Sequence, residues 1–314
     1  MADHSQMKLG KRAPRLPAGA PRLAKYSASL PAPPVSVSWA DKLAALGMMG
    51  NDSLGDCTCA AVGHAIQTWT SQASVEATIP DSAVLSLYEA VGHYVPGQPQ
   101  TDQGAVISDV LAYWQKNGVG GHAISAYAYV EPGNLSEVRD AIYWFGGCDI
   151  GLALPTSAQS QDVWDVPAGG TAGPGQPDSW GGHSVFIVGY DATGLTCITW
   201  GALKRMTWAF WATYCDEAWA ILSTDWIEKS GAAPDGFPLA QLQSDMAALT
   251  AGTAVPRSVS LTDQQIDMLT DAIQTKIDGL DEDDGVVATD AATNAASKPW
   301  QDLNDYLNAP RQKT

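Results

Sequence analysis

Asn51-Asp52-Ser53-Leu54-Gly55-Asp56-Cys57-Thr58-Cys59-Ala60-Ala61-Val62-Gly63-His64-Ala65-Ile66-Gln67-Thr68-Trp69 is the run on which the reading of this chain turns. From Cys59 onward, small and apolar residues recur at helical spacing, which places Cys57 at or near a helix N-terminus. The positive end of the helix dipole there favours a thiolate. Far downstream, Gly182-His183-Ser184-Val185-Phe186-Ile187-Val188-Gly189-Tyr190 reads as an apolar strand that opens with a histidine. A thiol needs a nearby base or a helix N-terminus to become a nucleophile near neutral pH, and one residue from each segment supplies that pairing.

Outward from these two segments the chain divides into three stretches. Residues 1–38 form a basic, Pro-rich arm in which Pro31-Ala32-Pro33-Pro34 excludes regular helix or a central strand. Residues 39–228 have the pattern of a packed domain. Helices are expected over 81–94, 107–116 (stopped by Asn117-Gly118) and 135–145, and a strand over 149–154 follows the Gly146-Gly147 break. A Gly/Pro loop spans 168–180, and further strands are expected over 185–190, 195–200 and 217–222. Helices first and an antiparallel sheet second make the class α+β. Residues 229–314 read as an acidic, partly helical appendage, with helical stretches near 239–249 and 262–277. Its Asp281–Asp284 run lacks the alternating acidic spacing and terminal Glu of an EF-hand loop.

Across 314 residues the chain is 45% hydrophobic, enough for a real core, and carries 17 Lys and Arg against 34 Asp and Glu. The net charge of −17 argues against a general nucleic-acid binder. Lys8, Lys11, Arg12, Arg15, Arg22 and Lys25 make the arm basic, whereas the stretch after Asp263 is acidic, so the arm is suited to an acidic neighbour. No apolar run reaches the ~20 residues of a membrane span, and the N-terminus has no hydrophobic core of a secretory signal. The expectation is a cytoplasmic or virion location. Five cysteines (Cys57, Cys59, Cys148, Cys197, Cys215) are an odd number, and Cys57 and Cys59 are too close for an easy disulfide, which fits a reducing environment. Neither Cys148 nor the Cys197/Cys215 pair adds a metal-ligand spacing to the C-x-C pair, so no zinc, other metal or cofactor is expected.

The order of parts over about residues 39–226 resembles the papain-like cysteine peptidase superfamily. Gly55-Asp56-Cys57 before an alanine-rich helix is similar to that family's nucleophile segment, and His183 leading into Val188-Gly189-Tyr190 is similar to its histidine strand. The two residues are 183 − 57 = 126 apart, just below the ~130–150 residues usual between nucleophile and downstream partners in that family. The resemblance implies a papain-like fold, with Cys57 as nucleophile, His183 as general base and Asn51 in place of the oxyanion-hole glutamine. The family's asparagine-serine-tryptophan-glycine motif appears here as Ile198-Thr199-Trp200-Gly201, and isoleucine cannot accept a hydrogen bond from the imidazole. Thr199, one place along, is the possible orienter, and Trp200 could shield the pair from water. Thr58 replaces the family's tryptophan after the nucleophile, and Leu54 its nearby disulfide cysteine. The long inhibitory propeptide of the family has no counterpart in an arm this short, so zymogen control of that kind is not expected.

Plainer readings compete. A lone cysteine is usually a buried small hydrophobe, and a histidine on an apolar strand usually a satisfied core residue; the flanking residues favour the catalytic reading for Cys57 and His183. His64 lies about two turns along the helix from Cys57 and reads as a helix-face residue, and Cys59 as structural. Most of the twelve tryptophans are core material, with Trp180 and Trp200 beside the histidine strand as exceptions. Two functions follow. One is a papain-like thiol hydrolase, a peptidase or isopeptidase acting on a peptide or protein. The other is a degenerate papain-fold structural protein of a multi-subunit assembly, such as the virion of a phage from which the chain would then come, with arm 1–38 and tail 229–314 clasping neighbouring subunits.

Overall fold

Helix α1 (Cys57–Ala73) is buried along its whole length, so its neighbours must cover it on every side. Small residues at Ala60, Ala61, Gly63 and Ala65 allow that close approach; a Cβ at Gly63 would lie 2.2 Å from the Met49 sulfur. A computed structural model describes residues 4–24, 32–73 and 75–226. The expected tail helices and the Asp281–Asp284 run lie outside them. Four more helices follow: α2 (Asp81–Gly92), α3 (Ile107–Asn117), α4 (Leu135–Trp144) and α5 (Trp208–Tyr214). Gly118, at φ +73°, ends α3 as the Asn-Gly signal predicts, and its N–H donates to the Trp114 carbonyl.

The strands are β1 (Val37–Ser38), β2 (Ile124–Val130), β3 (Cys148–Leu154), β4 (Val163–Trp164), β5 (Gly181–Tyr190), β6 (Gly194–Thr199), β7 (Ala202–Thr207) and β8 (Cys215–Ser223). They form one sheet in the order β2-β8-β3-β5-β6-β7-β4, with β1 paired to the end of β5. All pairs are antiparallel except β4 with β7. The α+β arrangement expected from the sequence is therefore present, with one strand, β2, drawn from the helical half. Five of these elements have no local expectation above: β1, β2, β4, β7 and α5.

Both faces of the sheet are covered, and the alternation of side chains divides the core accordingly. Val185 and Ile187 of β5 pack with α4, α5 and β3, whereas Phe186 and Val188 pack with α1, α2 and α3. Strand β8 divides in the same way, with Ala218 and Ala220 on one side and Trp219 and Ile221 on the other. The carbonyls at the end of α4 have no partner within the helix, and three indoles take them up. Trp39 Nε1 donates to Ile142, Trp226 Nε1 to Trp144 and Trp69 Nε1 to Phe145, at 2.8, 3.2 and 3.0 Å. Trp39 and Trp226, at the two ends of the stretch that carries the resemblance, meet edge to face at 4.9 Å.

The described residues of the arm lie against the domain of the same chain. Leu23 is fully buried and its N–H donates to the Tyr129 carbonyl of β2, while Tyr129 donates back to Pro21. These arm residues are thus engaged within the chain.

Gly147 (φ +140°) sits between α4 and β3, where an added Cβ would lie 2.3 Å from the Phe186 ring and 2.8 Å from the Ile187 carbonyl. Gly147→Ala combines backbone strain with overpacking and should destabilise the fold by about 2–4 kcal/mol. Gly133→Ala, where nothing lies within 4 Å, should stay within about 0.5 kcal/mol of wild type. Urea midpoints of the two variants check this; equal midpoints would refute the packing account.

Candidate active site

Cys57 opens α1, and the turn before it is pinned from two directions. The Asp56 carbonyl accepts the first helical N–H groups, from Cys59 at 2.7 Å and Ala60 at 3.0 Å. The Gly55 N–H donates to the Asp102 carboxylate at 3.0 and 3.2 Å. Tyr88 also donates to Asp102, at 2.5 Å, and its hydroxyl accepts the Gly104 N–H at 2.8 Å. Gly55 and Gly104 thereby become two walls tied through one hydroxyl and one carboxylate.

Between those walls runs the arm. The Gly10 carbonyl accepts from Ala105, Arg12 donates to the Ala105 carbonyl, and Lys11 donates to the Gly182 carbonyl, at 2.8, 2.9 and 3.1 Å. Gly10 has no room for a side chain, since a Cβ there would lie 1.7 Å from the Gly55 carbonyl oxygen. A Cβ at Gly104 would lie 1.9 Å from the Gly10 oxygen. The backbone N–H groups of Gly10 and Ser184 both point at the Cys57 sulfur. The arm therefore covers the candidate nucleophile.

His183 lies on β5, one residue before Ser184, and is buried. Its Nε2 is 2.7 Å from Thr199 Oγ1. The one-residue offset seen in the sequence follows from strand alternation. Ile198 packs with Phe186 on the α1 side, and Thr199 lies on the opposite face with His183. His183 Nδ1 is buried with no hydrogen-bond partner. With the proton assigned to Nε2 and shared with Thr199, Nδ1 carries the free lone pair. Trp200 stacks on the imidazole at 4.4 Å, with Trp180 at 5.5 Å and His4 of the arm at 5.1 Å from its own ring.

Asn51 is also buried, and its Nδ2 donates to the Leu54 carbonyl at 3.0 Å and to the Lys8 carbonyl at 3.4 Å. Trp200 Nε1 donates to the same Lys8 carbonyl at 3.4 Å. Two side-chain donors thus converge on one arm carbonyl. Asn51 thus meets the arm at Lys8, Cys57 lies beside the Gly10 N–H, and His183 follows Gly182, which accepts the Lys11 N–H; Thr199 joins them through His183.

Burial dominates the electrostatics. It pushes the Cys57 thiol up to about 12, aided by Asp56, against the opposing N–H groups of Ser184 and Gly10 and the charge of Lys11. It lowers His183 to about 3, with the neighbouring bases His64, His4 and Lys11 acting in the same direction. The expectation of a thiolate at the helix N-terminus is corrected here, because covering the sulfur outweighs the dipole. Asp56, whose carboxyl is buried, is raised to about 8, mainly by desolvation. His64 faces the Gly47 carbonyl at 3.1 Å and is held near 4 by burial, a structural residue as expected. All five cysteines are free thiols.

No family model and no curated protein sequence matches the chain. A solved structure does: xylellain, a cysteine protease from Xylella fastidiosa, superposes with a TM-score of 0.53 at 16% identity, over 71% of this chain and 98% of that one. The chain has a papain-like fold. Looser overlaps are a procathepsin B from Trypanosoma congolense (TM-score 0.49, 10% identity, 70% of this chain and 88% of that one) and procathepsin L 3 from Tenebrio molitor larval midgut (0.47, 14%, 70% and 77%). At such identity the likeness is one of fold, and the chemistry of this papain-like domain is argued from its own residues.

Sequence reasoning missed Asp102 and Tyr88, which fix the channel width, and the path of the arm. None of these has a local signal, because each acts through a partner distant in sequence. Among the described residues, no group of His, Cys, Asp or Glu is arranged to hold a metal, and no helix is long and apolar enough to cross a membrane.

The depressed His183 value has a stability consequence with a defined sign. A base whose folded pKa (about 3) lies below its unfolded value, near ~6.5, contributes stability that is present above ~6.5 and lost as pH falls towards the folded value. The loss of stability between pH ~6.5 and ~3 should therefore be smaller in His183→Asn than in wild type, measured by urea unfolding at each pH. Identical slopes would mean that His183 is not held neutral by burial.

Proposed function

We propose that the protein is a papain-like thiol hydrolase, a peptidase or isopeptidase, kept latent by its own N-terminal arm. The observation that carries this reading is the orientation of His183: Nε2 at Thr199, and Nδ1 buried without a partner. A retired site would have no use for a buried, unsatisfied ring nitrogen; a general base needs one. In the proposed reaction, Nδ1 takes the Cys57 proton as sulfur attacks an acyl carbon. Asn51 Nδ2 and the Cys57 backbone N–H receive the developing oxyanion. The imidazolium then protonates the departing amine, and water, deprotonated by the same imidazole, cleaves the thioester to release the acid and regenerate the thiol.

In the covered state none of this proceeds, because a thiol near 12 does not yield its proton to an imidazole near 3. The pair is neutral, and the arm holds Gly10 where substrate would lie. Withdrawal of the arm readmits water and removes the desolvation that separates the two groups. The substrate is a peptide or protein, and residues 39–228 would form the catalytic domain. The alternative of a degenerate papain-fold subunit of an assembly has the filled channel in its favour, but the filling segment belongs to the same chain.

Gly10→Ala provides the test, since alanine does not fit against Gly55 and the full-length chain should release its arm. Cys57 labelling by iodoacetamide should rise at least ~10-fold, and cleavage of a peptide mixture should appear, read by mass spectrometry. Cys57→Ala and His183→Ala in the same background should abolish cleavage. Fast labelling without cleavage of any peptide would sink the hydrolase reading.

A further inference from the structure

The arm does more than cover Cys57, because its next residue enters a recess of distinct chemistry. Lys11 is buried, with its side chain 2% exposed, and its ammonium lies 2.9 Å from Asp216 Oδ2 and 3.5 Å from Glu217 Oε1. Glu217 is held from the other side by the Trp219 indole, which donates to Oε2 at 3.0 Å, and its Oε1 has no hydrogen-bond partner. Its side chain is 1% exposed, so a carboxylate here needs a cation to come to it. The recess exists because Gly151 of β3, opposite Glu217, has no side chain: a Cβ there would lie 2.0 Å from Lys11 Cε and 2.7 Å from Asp216 Oδ1.

The contacts of residues 10–12 fall into two kinds. The bonds of Gly10 and Arg12 with Ala105, and of Lys11 with Gly182, join main chain to main chain and are open to any extended peptide. Only the Lys11 side chain reads chemistry. We propose that the recess formed by Gly151, Asp216 and Glu217 is the specificity pocket of this site, selecting substrates with a lysine or arginine one residue away from the residue lying over Cys57. This rests on the hydrolase reading above and adds to it the class of substrate. Lys11 then occupies the position of the substrate's basic side chain, and arm and substrate compete for the same two carboxylates.

Accessibility of Cys57 in the intact chain reports on the pocket without requiring turnover. Lys11→Met keeps the length and removes the charge; Cys57 should label at least ~10-fold faster than in wild type, as expected for losing a hydrogen bond between charged groups. Lys11→Arg should stay within ~3-fold of wild type. In the Lys11→Met protein, added acetyl-Lys-Leu-Gly-Xaa-Arg-amide should protect Cys57 at ~10-fold lower concentration when Xaa is lysine or arginine than when it is norleucine, and least when it is glutamate. Glu217→Gln with Asp216→Asn should erase that preference. Gly151→Ala, whose Cβ would take the place of the lysine side chain and press on Asp216 and Glu217, should weaken protection by the lysine peptide selectively. Unchanged labelling in Lys11→Met, protection without a basic preference, or protection by no peptide would each overturn the proposal, the last leaving the recess as a latch for the arm only. Analysing the same peptides for cleavage separates the two readings. A basic preference without cleavage sinks the hydrolase, and cleavage without a basic preference sinks the pocket.

Discussion

The packing of a wholly buried helix across the central strand of the sheet is the constraint from which the rest of the structure follows. Helix α1 meets β5 through small side chains, and that contact brings the Cys57 sulfur to the backbone N–H of Ser184. His183, one residue earlier on β5, is held there by Thr199 and Trp200. The remaining parts are arranged around this contact: α2 and α3 cover the outer side of α1, and α4 with its three indole ties covers the far face of the sheet. A helix half-exposed to solvent could tilt; one enclosed on all sides has a single position. The geometry of the site is therefore a property of the core, set before any ligand arrives.

Water sets the state of that site. A helix N-terminus contributes about 0.3–1 kcal/mol to a nearby anion at exposed positions, whereas taking an ionised group out of water costs several kcal/mol. With residues 8–11 in the channel the second effect prevails at both Cys57 and His183. In the proposed function the same two residues, with the same neighbours in the fold, change chemistry when solvent returns. Covering the site controls its ionisation as well as access to it, and a short segment suffices because only a narrow channel must be filled.

Much of this was legible in the sequence, and the parts that were not share a cause. Cys57 at a helix start, His183 on its strand and the ends of α3 and α4 follow from periodicity and from glycine signals within a few residues. Thr199 was reachable because strand alternation turns a one-residue offset into a change of face. Helix α5 was not, since Trp208-Ala209-Phe210-Trp211 has the aromatic content of a strand; its helical start depends on Thr207, whose hydroxyl accepts the Phe210 N–H at 3.0 Å. The course of the arm was illegible for a different reason. Gly10 looks like any flexible glycine until it is placed between Gly55 and Gly104, neither near it in sequence. Its lack of a side chain is a steric requirement imposed by two distant walls.

Lys11 shows how one residue can satisfy opposing demands. Glu217 and Asp149 are both buried and raised by desolvation, and Lys11 opposes that shift in each. Without a cation the recess would hold buried carboxyl groups that either stay protonated or destabilise the fold. A pocket built to receive a basic side chain thus needs an occupant while idle, and the arm supplies one covalently attached, at high effective concentration. In the proposed reaction the substrate must displace it by competing with an intramolecular contact, so that selectivity and latency would rest on the same ion pair. Strengthening the pocket for substrate also strengthens it for the arm, which leaves main-chain contacts outside the recess, such as those of Leu23 with Tyr129, as the place where the balance between covered and open states can be set independently.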